Sequence, residues 1–174
     1  MAYAPIPIDV LKTRLRIDVD ADDVILTTLC IAAGEMIEKE LGIGLLSQTR
    51  TAKIVDFNRF VPPVQPCSSI TSVTYTDSSG ATITMPSADW YVDQTQEMLA
   101  LEFLAKPEFK EGTFPTVTYT AGFTTVPHAL QQAIVAMVGA WYANPDATSP
   151  IALSDVPLAM KYILSAYSHR GPLR

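Results

Sequence analysis

The sequence predicts an α+β protein, mainly a helical bundle of two N-terminal and two C-terminal helices with an inserted antiparallel β lobe of about five or six strands. Three observations predict it. Residues 8–43 carry apolar side chains at helical spacing, residues 47–122 switch to a spacing of two, and the helical spacing returns over 127–168. The expected organisation is one domain over 1–174, with 8–43 and 127–168 as the bundle and 47–122 as the insertion.

The first element is a short helix over Ile8–Ile17. Ile8, Leu11 and Leu15 share a face, Asp9 lies near the start, and Lys12, Arg14 and Arg16 lie toward the end, which suits the helix dipole. A second helix follows in DVDADDVILTTLCIAAGEMIEKELGIG. Asp20 is the expected N-cap, with Asp23 three residues on in a box-like arrangement, and Gly42 the expected stop. Ile25, Leu29, Ala32 and Met36 form one apolar stripe; Leu26, Cys30, Ala33, Ile37 and Leu41 form a second beside it. Together they make a face wider than one partner helix covers. Glu35 and Lys39 are spaced to pair on the wet side.

Within the insertion, Arg50–Phe57 reads as a strand and Pro62, Pro63 and Pro66 as a stiff loop. Val73 and Tyr75 alternate with Thr74 and Thr76 up to the hairpin turn Asp77-Ser78-Ser79-Gly80, and Ile83 and Met85 alternate on the return. Trp90 and Val92 open another strand. Leu99, Leu101 and Phe103 point one way and Ala100 and Glu102 the other; Val117, Tyr119 and Ala121 close the series. Pro127 opens a helix that runs to about Ala143, where Asn144-Pro145 ends it. After a loop over Asp146–Asp155, Val156–Ser168 is the last helix, with Leu158, Tyr162, Ile163 and Tyr167 as its stripe.

Composition narrows the function. Charged residues are 17% of the chain and hydrophobic residues 48%, so there is more apolar material than a small monomer easily hides, and an oligomer is expected. Net charge is −6, and no Lys or Arg lies between Glu111 and Met160, which argues against a phosphate-gripping surface. The longest apolar run, Ala133–Tyr142, is about half a membrane span. Cys30 and Cys67 are the two cysteines, read as small buried residues with free thiols in a cytosolic product.

Chemical motifs are sparse. DVDADD begins like a calcium loop, but the places for Gly and the bidentate Glu hold Asp23 and Leu29. Gly42-Ile43-Gly44 follows a helix, where a dinucleotide fingerprint follows a strand. The two histidines, His128 and His169, stand in no metalloprotease or nucleophile-elbow motif, and Asp89, Asp93 and Glu97 read as turn and strand-end acids. The expectation is no enzyme, no cofactor and no metal.

The most distinctive feature is an ordered set of segments: LKTRLRIDVDADDVILTTLCIAAGEMIEKELGIGL, SSITSVTYTDSSGATITMPSADWYVD, VTYTAGFTTVPHALQQAIVAMVGAWYANPDA and VPLAMKYILSAY. This set, from about Leu11 to Tyr167, resembles the head–tail connector (adaptor) family of long-tailed phages and prophages. The resemblance implies a structural virion protein, made in the bacterial host cytoplasm. It would form a twelve-subunit homo-oligomeric ring under the portal protein, extend the DNA channel, and receive the next neck or tail-completion protein. DNA would pass without specific binding, and no membrane would be involved. It also implies that C-terminal segments reach toward the portal, here Tyr167, His169, Arg170 and Arg174. On this reading the uncharged helix Pro127–Tyr142 is covered on more than one side. Ala129, Ala133, Ala136, Met137, Gly139, Ala140 and Trp141 are then candidates for the subunit interface. The acidic groups Asp18–Asp23 and Glu35, Glu38 and Glu40 are candidates for lumen or solvent faces. The competing readings are another neck or tail-completion protein, a small ligand-binding or enzymatic domain with a pocket near His128, and an oligomer unrelated to phages.

Overall fold

The computed structural model describes residues 4–94, 98–144, 164, 166 and 167. The chain folds as two compact units, one formed by the segments before Ser47 and after Gly122, the other by Ser47–Gly122.

Three α-helices lie among the described residues, all in the first unit: α1 (Ile8–Leu15), α2 (Asp23–Leu41) and α3 (His128–Ala143). The expected fourth helix, Val156–Ser168, falls outside the described residues except for Leu164, Ala166 and Tyr167. Each helix stops for a local reason. Arg16 takes a left-handed backbone (φ 59°) after α1, and its neighbour Ile17 donates its N–H to the Lys12 carbonyl at 3.1 Å. Gly42 does the same after α2 at φ 70°, where lack of a Cβ makes the turn free of strain. Asn144 ends α3, its side-chain amide donating to the Ala140 carbonyl at 3.0 Å.

The start of α2 differs from expectation. Asp20–Asp22 form a single 3-10 turn, and the helix begins at Asp23 with no side-chain cap. The carboxylates of Asp20 and Asp23 are both taken by the Lys12 ammonium, at 2.5 and 2.9 Å. A charged donor eight residues upstream outcompetes the backbone N–H groups that a capping box would serve.

The helical unit closes around Leu26, Cys30, Ala33, Ile37 and Leu41 from α2 and Leu130, Ile134 and Val138 from α3, each no more than 1% exposed. Ile6 enters this core from the N-terminal segment, and Leu164 from the other end of the chain. The passage of Ala4–Pro7 explains a glycine in mid-helix. A Cβ on Gly34 would stand 2.9 Å from Pro5 Cγ and 3.3 Å from Leu45 Cδ1. Gly34→Val is therefore expected to cost roughly 2–3 kcal/mol through overpacking, read as a lower urea midpoint with unchanged m.

Among the described residues the second unit holds six strands: β1 (Gln48–Lys53), β2 (Cys67–Thr76), β3 (Thr82–Thr84), β4 (Trp90–Asp93), β5 (Ala100–Phe103) and β6 (Thr116–Ala121). They form two antiparallel sheets, β1-β6-β2-β3 and β4-β5. The last strand is interior, paired with β1 from Gln48↔Ala121 to Lys53↔Thr116 and with β2 on its other side. Its alternation is the expected one: Val117, Tyr119 and Ala121 are at most 1% exposed. The hairpin turn is also as expected. Asp77 N–H donates to the Ala81 carbonyl at 2.9 Å, and the Asp77 carboxylate accepts from Ser79 Oγ and Ala81 N.

One detail departs from the sequence reading. The strand expected over Arg50–Phe57 ends at Lys53, yet Ile54 and Phe57 beyond it are core residues of this unit. Phe57 meets Tyr75, Phe103 and Phe109 edge-on at 5.3–5.8 Å. Ala100 and Leu101, neighbours on β5 that alternate as expected, are both fully buried. β5 is lined on both edges, by β4 and by Phe60, which exchanges both backbone hydrogen bonds with Leu101 at 2.8 and 2.9 Å.

Candidate assembly surface

Helix α3 carries no charged residue, and its apolar character has three sources. One face is core: Leu130, Ala133, Ile134, Met137 and Val138 are all 9% exposed or less. A second flank meets α1, where a Cβ on Gly139 would stand 3.0 Å from Leu15 Cδ2 and Arg14 donates to Gln131 Oε1 at 3.0 Å. The third face is open: Gln132, Ala136 and Ala143 are exposed, with Ala129 and Ala140 half-buried between them. The seven positions expected at an interface thus divide. Ala133 and Met137 are interior, Gly139 faces α1, Trp141 is half-buried against the core, and Ala129, Ala136 and Ala140 share the open face.

Helix α2 is asymmetric in the same way. Its inner stripe is fully buried, whereas Ile25 is 53% exposed and Leu29, Ala32 and Met36 remain half-buried. Val24, in the same turn as Ile25, is 77% exposed and was not singled out by periodicity. The sequence signal for this flank was the excess width of the apolar face of α2. Glu35 and Glu40 border it, both exposed, while Glu38 accepts the Leu45 N–H at 2.6 Å.

The acidic start of α2 is largely occupied by the chain itself. Lys12 holds Asp20 and Asp23, and the Tyr142 hydroxyl donates to Asp22 at 2.6 Å, tying the end of α3 to the start of α2. Asp18 is exposed. The ammonium of Lys12 holds the Asp20 carboxyl below its ordinary value of 3.8, and the two carboxylates hold Lys12 above 10.5. By linkage, the Asp20 contribution is present above the unfolded pKa and lost as pH falls through the lower folded value. Lys12→Met is expected to return the Asp20 titration upward toward the ordinary range, followed by carboxyl chemical shifts in an NMR pH series.

Among the described residues, the candidate chemical groups stand apart. His128 is exposed at the start of α3; Asp93 takes the Arg59 guanidinium at 3.4 Å and Asp89 is half-buried. Glu97, His169, Arg170 and Arg174 lie outside the described residues. Tyr167 is half-buried, edge-on to Phe123 at 6.1 Å. Burial pushes both thiols, Cys30 and Cys67, above the ordinary value, away from reactive thiolate character. Among the described residues no group of three His, Cys, Asp or Glu is placed to hold a metal, and no helix is long and apolar enough to cross a membrane.

No protein-family model matches the chain, and no curated protein matches it. Solved structures do. A chain of the neck of the empty gene-transfer-agent (GTA) particle computed with C6 symmetry superposes with a TM-score of 0.78 at 18% identity, covering 100% of this chain and 93% of that one. A chain of the virion of the native gene transfer agent particle gives 0.75 at 18% identity, covering 98% and 91%. A chain of the neck of the native GTA particle computed with C12 symmetry gives 0.69 at 18% identity, covering 97% and 92%. The protein therefore shares its whole fold, helical unit and β insertion together, with chains of gene-transfer-agent particles.

Proposed function

We propose that the protein is a structural neck component of a phage-like particle: a ring of identical subunits beneath the portal that extends the DNA channel and joins head to tail. The observation that carries this reading is the end-to-end fold likeness to chains of the gene-transfer-agent neck and virion. A helical unit that leaves uncharged and apolar helix faces exposed in a single chain supports it further.

In the proposed ring, the interface candidates reduce to the open face of α3, with Ala129, Ala136 and Ala140 in contact with the next subunit. Ala133, Met137, Gly139 and Trp141 act from beneath by fixing where that face lies. Tyr167, His169, Arg170 and Arg174 remain the proposed reach toward the portal. The channel role asks for weak interaction with phosphates, and a net charge of −6 with no basic residue between Glu111 and Met160 supplies it.

The test is mass by light scattering, then negative-stain imaging, with and without the cognate portal. The expected result is a closed ring of about twelve copies on the portal, as cyclic homo-oligomers close through one repeated contact. A portal that recruits no copies of this chain overturns the proposal. Duplex DNA titrated at physiological salt is expected to give no saturable binding, and tight binding would overturn the passive-channel part.

A further inference from the structure

The leading arm of the helical unit, Ala4–Leu15, is fastened to residues that lie beyond the bend that follows it. Ile6 and Leu11 are buried among side chains of α2 and α3, and the Ile6 carbonyl stands 3.9 Å from the Cys30 thiol. Pro5 passes over Gly34, Leu15 lies against Gly139, and Arg14 donates to Gln131 at 3.0 Å. Lys12 holds Asp20 and Asp23. The bend itself, Arg16–Val19, is the weak place. Arg16 is the one non-glycine residue with a positive φ among the described residues, at 59°, where a Cβ crowds the backbone. Arg16, Asp18 and Val19 are exposed. An open cleft of about 380 Å³, bordered by Ile8, Lys12, Ile17 and Asp18, separates the bend from α1, so the two are not close-packed.

Granting the ring reading above, we propose that this arm is exchanged between copies: in the assembled ring, Ala4–Leu15 of each subunit leaves its own seat on α2 and α3 and fills that of the next. The occupant follows from the chain itself. A seat shaped to this arm takes the same arm from a second copy with the same contacts: Ile6 and Leu11 in the core, Pro5 on Gly34, Arg14 on Gln131, Lys12 on Asp20 and Asp23. Closed and exchanged forms therefore share their contact energy, and small terms decide between them. Straightening the bend releases the strain at Arg16 and favours exchange. The entropy of association opposes it, and that cost falls when a portal gathers the copies at high local concentration. The isolated chain thus stays closed, and exchange comes with assembly. Four residues at full stretch span about 13 Å, so the arm reaches a directly adjacent copy and no further. Each copy gives one arm and receives one, a head-to-tail contact that closes as a ring.

Thiol cross-linking between arm and body reads this directly. In a Cys67→Ser background, where the remaining Cys30 is fully buried, Arg14→Cys and Gln131→Cys are made in one chain. Arg14 is exposed and Gln131 half-buried, so the fold tolerates both; circular dichroism and the urea midpoint check this. With a short bismaleimide, the isolated chain is expected to link internally and run as a monomer on a denaturing gel. The same chain assembled on the portal is expected to give covalent multimers at least about tenfold above the isolated chain, because arm and seat then belong to different copies. Chains linked internally before they meet the portal are expected to form rings at least about tenfold less than unlinked ones, since their arms can no longer be given. Rings whose chains link internally, or pre-linked chains that assemble as well as unlinked ones, overturn the exchange and leave the ring reading intact. A portal that recruits neither the double variant nor the unmodified chain overturns the ring reading and the exchange with it.

Discussion

Phe57→Ala is expected to lower the unfolding free energy by about 3–5 kcal/mol, the largest single loss in the β unit. The residue is 4% exposed and sits in irregular chain just after β1, yet three aromatic rings converge on it: Tyr75 from β2, Phe103 from β5 and Phe109 from the following loop. Those partners belong to both sheets, so the ring of Phe57 is one apolar link between the four-stranded and the two-stranded sheet, within a core that Val73, Leu101 and Val117 share. Truncation leaves a cavity lined by rigid rings that cannot collapse inward, and it removes three edge-to-face contacts at once. The loss is read as a lower denaturant midpoint and as faster amide exchange in β2, β5 and β6. Unchanged exchange in those strands would show that the two sheets hold without this link.

Ala136→Glu is expected to act on assembly instead. The position is exposed on the open face of α3. Glutamate is a good helix former, so the stability of the isolated chain is expected to stay within about 0.5 kcal/mol. In the proposed ring, an unpaired carboxylate buried at every subunit contact is expected to reduce assembly on the portal at least about tenfold. Gly139→Glu makes the contrasting case. Its first side-chain atom already meets Leu15 at 3.0 Å, so it unfolds the α1–α3 contact and loses assembly through the fold. The pair separates a surface effect from a core effect: normal melting with lost rings for the first, lowered melting for the second. Rings that form normally with Ala136→Glu would remove this face from the interface.

What the sequence disclosed follows the range of the forces involved. Period and turn chemistry act over a few residues, and the elements they control were legible: the stop at Gly42, the hairpin at Asp77–Gly80, the inward set Val117, Tyr119 and Ala121, and the start of α3 after Pro127. Departures came from partners distant in the chain. Lys12 draws Asp20 and Asp23 away from capping, and Phe60 pairs with the second edge of β5 from a loop that carries no strand pattern. Phe57, Phe109 and Ile54 carry no periodic signature because loop residues are held by what surrounds them, not by what precedes them. The candidate assembly surface was half legible. The width of the apolar face on α2 was plain in the sequence, but an unbroken uncharged run in α3 could not be divided into core, α1 contact and open face without the packing partners.

The insertion begins and ends on adjacent rungs. Gln48 opposes Ala121 across the first pair of the β1–β6 ladder, and in the helical unit the Phe123 N–H donates to the Gly44 carbonyl at 3.2 Å. The chain therefore departs for 76 residues and comes back to nearly the point it left, so that from the helices' side the whole excursion resembles a single tight loop. Such a doorway makes the lobe an interchangeable cassette: its outer loops, or a foreign module spliced at Ser47 and Gly122, can vary in size without asking the helices to move apart.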